Sequence, residues 1–213
     1  MNDTSSSPPQ HAELGSVFNV PNLLTASRLL LSIVLFVVIG IAQGMDESQA
    51  VLQGRLFLAS LVIFVVAAAT DWVDGFWARR YGQVTVLGRI FDPFVDKVII
   101  CGVFIFLVAS PESKVTAWMA VVVTGREMLV TVIRSFFEQQ GTDFSAKMAG
   151  KLKMVLQCVA VVASLYLLSH TDRSAPAPAW LETTVTVSLW AAILITIYSG
   201  AEYVVVAARL MRS

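Results

Sequence analysis

The sequence has little charge. Asp, Glu, Lys and Arg make up only 14% of its 213 residues, whereas a soluble domain has about 25%. Hydrophobic residues account for 56%, and the mean hydropathy is +0.73. This composition argues against an ordinary soluble domain and indicates an integral membrane protein.

Neither sign of charge is in excess, and cysteine and histidine are scarce. The 15 basic and 15 acidic side chains give a formal net charge of zero, so no basic field favours nucleic acid as a partner. Cys101 and Cys158 both lie in apolar runs, where neither spacing nor context indicates a disulfide or a metal site. His11 and His170 lie in polar stretches, and we assign them no role.

The chain also lacks an internal repeat, a linker between two halves and the pattern of a cleavable signal peptide. Its first apolar run follows a polar start rich in Ser and Pro, and the run is long enough to span a membrane. We therefore predict a disordered tail over residues 1–16 and one membrane domain over residues 17–213.

Six apolar segments have about the 20 residues that a membrane-spanning helix needs. They are approximately Leu23–Ile41, Leu56–Arg80, Arg89–Ala109, Val115–Phe137, Lys151–Ser169 and Thr183–Met211. Short connections containing Gly, Pro, Ser and Asp join them. We predict an all-α integral membrane protein with six transmembrane helices and a short N-terminal interfacial helix around Pro21 and Asn22.

The basic residues are distributed unequally between the two ends of these segments. Twelve lie on the side of the N-terminus, and three, Arg55, Lys114 and Arg173, lie on the other side. Loops on the cytoplasmic side of a membrane are enriched in Lys and Arg. We therefore expect a multi-pass protein of the plasma (inner) membrane with both termini in the cytoplasm.

Four carboxylates, Asp71, Asp74, Asp92 and Asp96, lie in or beside the second and third segments. Such groups are costly in hydrocarbon unless paired, and four together repel one another, which favours a multivalent cation as partner. The i,i+3 and i,i+4 spacings put each pair on one helix face. Oxygen ligands suit Mg²⁺ or Mn²⁺, and four carboxylates suffice for a two-ion site of the kind used in phosphoryl transfer. Ion pairing with neighbouring basic residues is the alternative.

Small residues accompany these aspartates. Gly75 and Ala78 lie on or beside the face of the first pair, and Gly88 opens the third segment, so a pyrophosphate or a neighbouring backbone can approach closely. Arg79 follows about one turn after Gly75 and can reach a phosphate with its planar guanidinium. Plain helix packing would explain the small residues equally well.

The aspartates and small residues together form a specific pattern, Asp71-x2-Asp74-Gly75-x2-Ala78-Arg79-x8-Gly88-x3-Asp92-x3-Asp96. It resembles the complete signature of the CDP-alcohol phosphotransferase family. The resemblance implies a six-helix membrane enzyme, usually a homodimer, with a cytoplasmic active site that transfers a substituted phosphoryl group from a CDP-linked donor to an alcohol and releases CMP. It implies that the aspartates bind two metal ions, with Asp96 as general base, and that Asp74, Gly75, Ala78, Arg79 and Gly88 meet the donor.

A second group of residues is basic. Arg126 lies about 16 Å into the fourth segment at about 1.5 Å per residue, which is a costly place for a merely structural arginine. We predict that an anionic acceptor binds at Arg28, Arg126, Arg134, Lys147 and Lys151, with Lys153 in the same basic group at the start of the fifth segment. Alternatively, Arg126 pairs with Glu127 or another buried acid, and the other basic residues anchor the helices at the membrane surface.

Further motifs resemble the phosphatidylglycerophosphate synthase branch of the family. They are Pro21-Asn22-x2-Thr25-x2-Arg28, Arg126-Glu127, Ile133-Arg134 and Gly150-Lys151-x-Lys153. The branch implies CDP-diacylglycerol as donor, with Asn22 and Thr25 near it, and sn-glycerol 3-phosphate as acceptor. Asn22, Thr25 and Arg28 fit a helix start with an interfacial anchor equally well.

Other functions remain open from the sequence. A phosphatidylinositol-phosphate synthase, or a relative with another alcohol acceptor, also needs a basic pocket. A divalent-cation transporter would place its acids near the bilayer midplane, usually with repeats, whereas here they lie near one interface. A lipid-binding protein without catalysis is a further alternative.

Overall fold

A computed structural model describes residues 20–81, 86–139, 148–170 and 177–211. These residues form six long helices: α1 (Val20–Gln43), α2 (Ala50–Tyr81), α3 (Val86–Val108), α4 (Ala117–Gln139), α5 (Met148–Ser169) and α6 (Ala179–Leu210). Single 3-10 turns at Glu47–Gln49 and Pro111–Ser113 lie in two of the connections. No strand occurs in these ranges, and the predicted all-α class is confirmed. The predicted tail, residues 1–16, lies outside the described residues.

Two helices begin earlier than their apolar runs suggest. α2 begins at Ala50 and α6 at Ala179, and each has 32 residues. At about 1.5 Å per residue this is about 48 Å, longer than a hydrocarbon core of about 30 Å. Both helices are therefore longer than a perpendicular crossing of the apolar layer requires. At the start of α2, Gln53 donates a hydrogen bond from Nε2 to the carbonyl of Ala42 (2.9 Å).

Pro21 and Asn22, around which an interfacial helix is predicted, belong to the first turns of α1. Residues 1–19 are outside the described part of the chain, so the element predicted there stays a prediction.

Four helices contain a stretch that is long and apolar enough to cross a membrane. These stretches are Ala26–Gln43, Glu47–Thr70, Gly150–Ser169 and Ala179–Leu210. In α3 the described apolar stretch is shorter, Lys97–Val108. The helix α4 is continuous, but its apolar sequence contains the charged residues Arg126, Glu127 and Arg134. The chain is therefore a multi-pass helical membrane protein, and charged residues shorten the apolar stretches of α3 and α4.

The outside of the bundle is apolar on every helix. Large apolar side chains that are more than half exposed include Val37 on α1, Val62 on α2, Ile105 on α3, Val121 on α4, Val155 on α5 and Leu194 on α6. A water-soluble protein rarely leaves so much apolar surface open. Lipid is the solvent that suits this surface, and the backbone polar groups are satisfied within each helix.

Helix ends from distant parts of the chain meet at one end of the bundle. The contacts there join Gln43 to Phe106, Gly54 to Ser169, and Lys114 to Glu182. Helices α1, α3 and α5 therefore end where α2, α4 and α6 begin, and the six helices run alternately up and down. The other end carries residues 71–96, and we call it the aspartate end.

Candidate active site

The four signature aspartates lie on two helices at the aspartate end. Asp71 and Asp74 belong to the last turns of α2, and Asp92 and Asp96 to the first turns of α3. The backbone is therefore helical at both pairs, as is required for each pair of aspartates to share one helix face. The positions of their side chains, and residues 82–85 between the two helices, lie outside the described residues.

The other predicted donor-binding residues share this end. Gly75, Ala78 and Arg79 belong to α2, Gly88 to α3, and Asn22 and Thr25 to the start of α1. The structure describes their helices but not their side chains, so their roles stay predictions.

The described side chains at this end converge on Glu127 of α4, whose side chain is only 2% exposed. Lys97 of α3 places Nζ 3.0 Å from Oε2 of Glu127. Lys153 of α5 donates from Nζ to Oε1 of Glu127. The neighbouring Arg126 places Nη1 3.4 Å from the same Oε1. Cations from three helices thus share one buried carboxylate.

This group, which we call the Glu127 cluster (Lys97, Arg126, Glu127 and Lys153), is not neutral. Its three cations and one anion leave two positive charges in excess. Arg126 and Lys153 are both buried, and buried charge is costly unless it is paired. In such low-dielectric surroundings an added anion would be attracted far more strongly than in water. The described part of the cluster therefore favours an anionic ligand.

Arg126 has further contacts with α6. Its Nη2 donates to Oγ of Ser199 (3.0 Å), and its guanidinium lies 5.6 Å from the centre of the Tyr203 ring, where a cation–π attraction contributes. A Cβ at Gly200 would stand 3.1 Å from Cγ of Arg126, so this glycine leaves room for the arginine stem. The buried Nε of Arg126 has no hydrogen-bond partner among the described residues.

Polar contacts continue from the Glu127 cluster into the bundle between α5 and α6. Gln157 lies one turn after Lys153 and is buried. Its Nε2 donates to Oγ1 of Thr196 (3.0 Å), and that hydroxyl donates to the carbonyl of Ala192 (2.6 Å). A buried, hydrogen-bonded polar pair therefore lies one helical turn from Lys153.

The structure separates the predicted acceptor-binding residues into different surroundings. Arg126 lies in the Glu127 cluster, and Arg28 is buried in α1. Arg134 and Lys151 lie at exposed positions. Lys147 is outside the described residues. Among the described members, Arg126 shares the Glu127 carboxylate with Lys97 and Lys153.

Two members of the cluster, Lys97 and Glu127, were not among the predicted site residues, and Lys153 was predicted only as part of the basic group at the start of the fifth segment. The pairing of Arg126 with Glu127, which the sequence left open as an alternative, is present. The signal for the rest was an acid in an apolar helix, because a buried carboxylate needs compensating positive charge from its neighbours. The sequence alone does not say that Lys97 and Lys153 supply it.

The residues at this end fit a hard divalent cation. The described residues contain no group of three His, Cys, Asp or Glu side chains suited to a metal, and the four aspartates are not among the side chains described. Their donor atoms are all carboxylate oxygens carried on two helices at one end of the bundle. Such a donor set suits Mg²⁺ or Mn²⁺ and contains none of the nitrogen or sulfur ligands that softer metals prefer.

Fold and site define a multi-pass helical membrane protein with carboxylates and a buried basic cluster at one end of its bundle. The family model described as CDP-alcohol phosphatidyltransferase matches residues 18–198. The chain belongs to this family.

Curated relatives are similar to the chain along most of its length. One from Bacillus subtilis, named CDP-diacylglycerol–glycerol-3-phosphate 3-phosphatidyltransferase, is 35% identical over 194 residues, covering 88% of this chain and 94% of the relative. A relative of the same name from Escherichia coli K12 is 30% identical, covering 87% and 93%. A probable phosphatidylglycerophosphate synthase of Mycobacterium tuberculosis is 32% identical, covering 94% and 87%.

Proposed function

We propose that the protein transfers the phosphatidyl group of CDP-diacylglycerol to sn-glycerol 3-phosphate, giving phosphatidylglycerophosphate and CMP. The observation that carries this proposal is the joint placement of the complete aspartate signature and a buried cluster with excess positive charge at one end of the bundle. Relatives that cover nearly the whole chain are named for this reaction.

The donor binds at the aspartate helices in this proposal. Asp71, Asp74, Asp92 and Asp96 hold two Mg²⁺ or Mn²⁺ ions, which supply charge neutralisation for the pyrophosphate and the leaving CMP. Gly75, Ala78 and Gly88 leave space for the pyrophosphate, and Arg79 donates to a phosphate oxygen. Asn22 and Thr25 on α1 border the same site.

The acceptor brings its own phosphate, and Arg126 binds it, with Arg28, Arg134, Lys147 and Lys151 contributing positive charge around the entrance. Asp96 accepts the proton of the attacking hydroxyl. The hydroxyl oxygen forms a bond to the phosphorus of the phosphatidyl group, and the bond from that phosphorus to the oxygen of CMP breaks. The acyl chains stay in the lipid while the headgroup reacts at the membrane surface.

The distribution of basic residues indicates the orientation of the protein in the membrane. We propose that the aspartate end and both chain termini face the cytoplasm, where CDP-linked donors and glycerol phosphate are present, and that the membrane is the plasma (inner) membrane. Two copies form a homodimer in this proposal, as the family resemblance implies.

An acceptor panel tests the reaction. Purified protein with Mg²⁺ or Mn²⁺ and CDP-diacylglycerol is given radiolabelled sn-glycerol 3-phosphate or labelled inositol phosphate. We expect label in a lipid phosphate, with one CMP released per label, from glycerol phosphate alone. Incorporation from inositol phosphate without any from glycerol phosphate would overturn the acceptor and leave the class of transferase standing.

A further inference from the structure

Glu127 has no role in the chemistry proposed so far, although three cationic side chains contact its carboxylate. It is one of the few acids on a membrane-spanning helix and is almost fully buried. Two ammonium groups and one guanidinium surround its two oxygens. A carboxylate that only joined two helices would need one cationic partner, whereas Glu127 has three.

We propose that Glu127 is a positioning residue for the acceptor: its carboxylate holds Lys97, Arg126 and Lys153 in fixed places, so that their excess charge receives the acceptor's phosphate. This inference rests on the proposed function and names a residue of the same site. Without the carboxylate, three like charges on three helices would repel one another and move apart.

The contacts show how the positions are fixed. Among the described side chains, Oε2 of Glu127 contacts Lys97, whereas Oε1 is shared by Lys153 and Arg126. Arg126 is held from its other side by Ser199. Each cation therefore has one anchoring contact in the cluster, while two positive charges remain uncompensated by the described residues.

Lys97 gives the cluster a connection to the metal-binding helix. It directly follows Asp96 in α3, and its bond to Glu127 links this turn of α3 to α4. The same carboxylate links α4 to α5 through Lys153. The Glu127 side chain thus links α3, which carries the proposed base Asp96, to α4 and α5, which carry Arg126 and Lys153.

Kinetics of Glu127→Gln test the proposal. Glutamine keeps the size and loses the charge, so we expect the KM for glycerol 3-phosphate to rise about tenfold or more, while the KM for CDP-diacylglycerol stays within about twofold. Glu127→Asp keeps the charge with a shorter reach and should recover part of the loss. The control is Glu182→Gln, which removes an exposed acid from its pair with Lys114 at the opposite end and should leave both constants unchanged.

A double-mutant cycle with Lys153→Gln separates positioning from charge balance and from folding. The pair Glu127→Gln with Lys153→Gln has the same net charge as the wild type and no buried repulsion between those partners, so it should fold even where Glu127→Gln alone does not. If Glu127 acts by holding Lys153, the two losses are not additive, because each substitution removes the same contact. A double variant with the wild-type acceptor KM would overturn the proposal, and so would strictly additive losses.

The outcomes distinguish this proposal from the proposed function. All constants are measured with whichever acceptor the wild-type protein uses. A wild type that uses a different anionic alcohol overturns the proposed acceptor, and the role of Glu127 is then judged on that alcohol. An unchanged acceptor KM in Glu127→Gln, with wild-type transfer to glycerol phosphate, overturns the role of Glu127 alone. A wild type that transfers to no acceptor overturns both.

Discussion

Arg126 shows how single residues are placed at this site. It contacts Glu127 within α4, donates to Ser199 of α6, and lies over the ring of Tyr203. These contacts depend on the absence of a side chain at Gly200, because a Cβ there would stand 3.1 Å from the arginine stem. The orientation of the arginine is thus set by a neighbouring helix as much as by its own.

Replacing Gly200 by valine tests this dependence. The added side chain should displace Arg126 and disturb its bond to Ser199, a loss of about 1–3 kcal/mol, which corresponds to a fall of roughly 5- to 150-fold in kcat/KM for glycerol 3-phosphate. Ala201→Val is the matched control, because residue 201 is exposed on the same helix. Equal activity in the two variants would show that the space at Gly200 is not needed.

The metal proposal predicts the behaviour of Asp92→Asn. Replacing a carboxylate ligand by a neutral amide should abolish CMP release, and treatment of the wild type with a chelator should do the same until Mg²⁺ or Mn²⁺ is restored. Asp46→Asn is the control, since Asp46 lies exposed in the α1–α2 connection. A fully active Asp92→Asn protein would mean that the carboxylates do not form the metal site.

The sequence predicted some residues of the site and not others for a physical reason. The aspartate pattern is local: its spacings follow from two helices, and both helices are present. The Glu127 cluster is not local, because Lys153 and Glu127 are 26 residues apart and meet only when α4 and α5 pack with particular faces together. Periodicity does not determine those faces, because α4 carries large apolar residues on its exposed side as well as on its buried side.

At the scale of helices, the apolar runs predicted six elements because the length of a membrane span is a local requirement. Their ends were less predictable. The polar residues Gln53 and Arg55 suggested that α2 begins near Leu56, yet the helix begins at Ala50. Gln53 donates a hydrogen bond to the carbonyl of Ala42 at the end of α1. The pattern of apolar residues along one helix does not predict such a contact between two helices.

Close packing of α2 against α5 gives a prediction for stability. A Cβ at Gly54 would stand 2.6 Å from the backbone carbonyl oxygen of Ser169, so Gly54→Ala should force these helices apart and cost about 1–3 kcal/mol. Thermal unfolding in detergent measures the change. Gly40→Ala is the control, because its Cβ would meet only Cε1 of Phe106 at 3.7 Å, and an alanine there should be neutral or slightly stabilising. Equal unfolding temperatures would contradict the close approach.

For the whole molecule, the alternating helices put the two described termini at the aspartate end and the Lys114–Glu182 pair at the opposite end. Single cysteines replacing Glu112 and Met211, with Cys101 and Cys158 changed to alanine, test the proposed orientation. A membrane-impermeant maleimide should label position 112 on intact cells and position 211 only after lysis. The reverse pattern would place the aspartate end outside the cytoplasm.

One end of the bundle holds two adjoining sites in our proposal, with the donor on the aspartate helices and the anionic acceptor at the Glu127 cluster. The kinetics of Arg126→Gln with both substrates test this arrangement. We expect the KM for glycerol 3-phosphate to rise about tenfold or more while the KM for CDP-diacylglycerol stays within about twofold. Unchanged constants for both substrates, or an equal rise in both, would overturn the two-site arrangement.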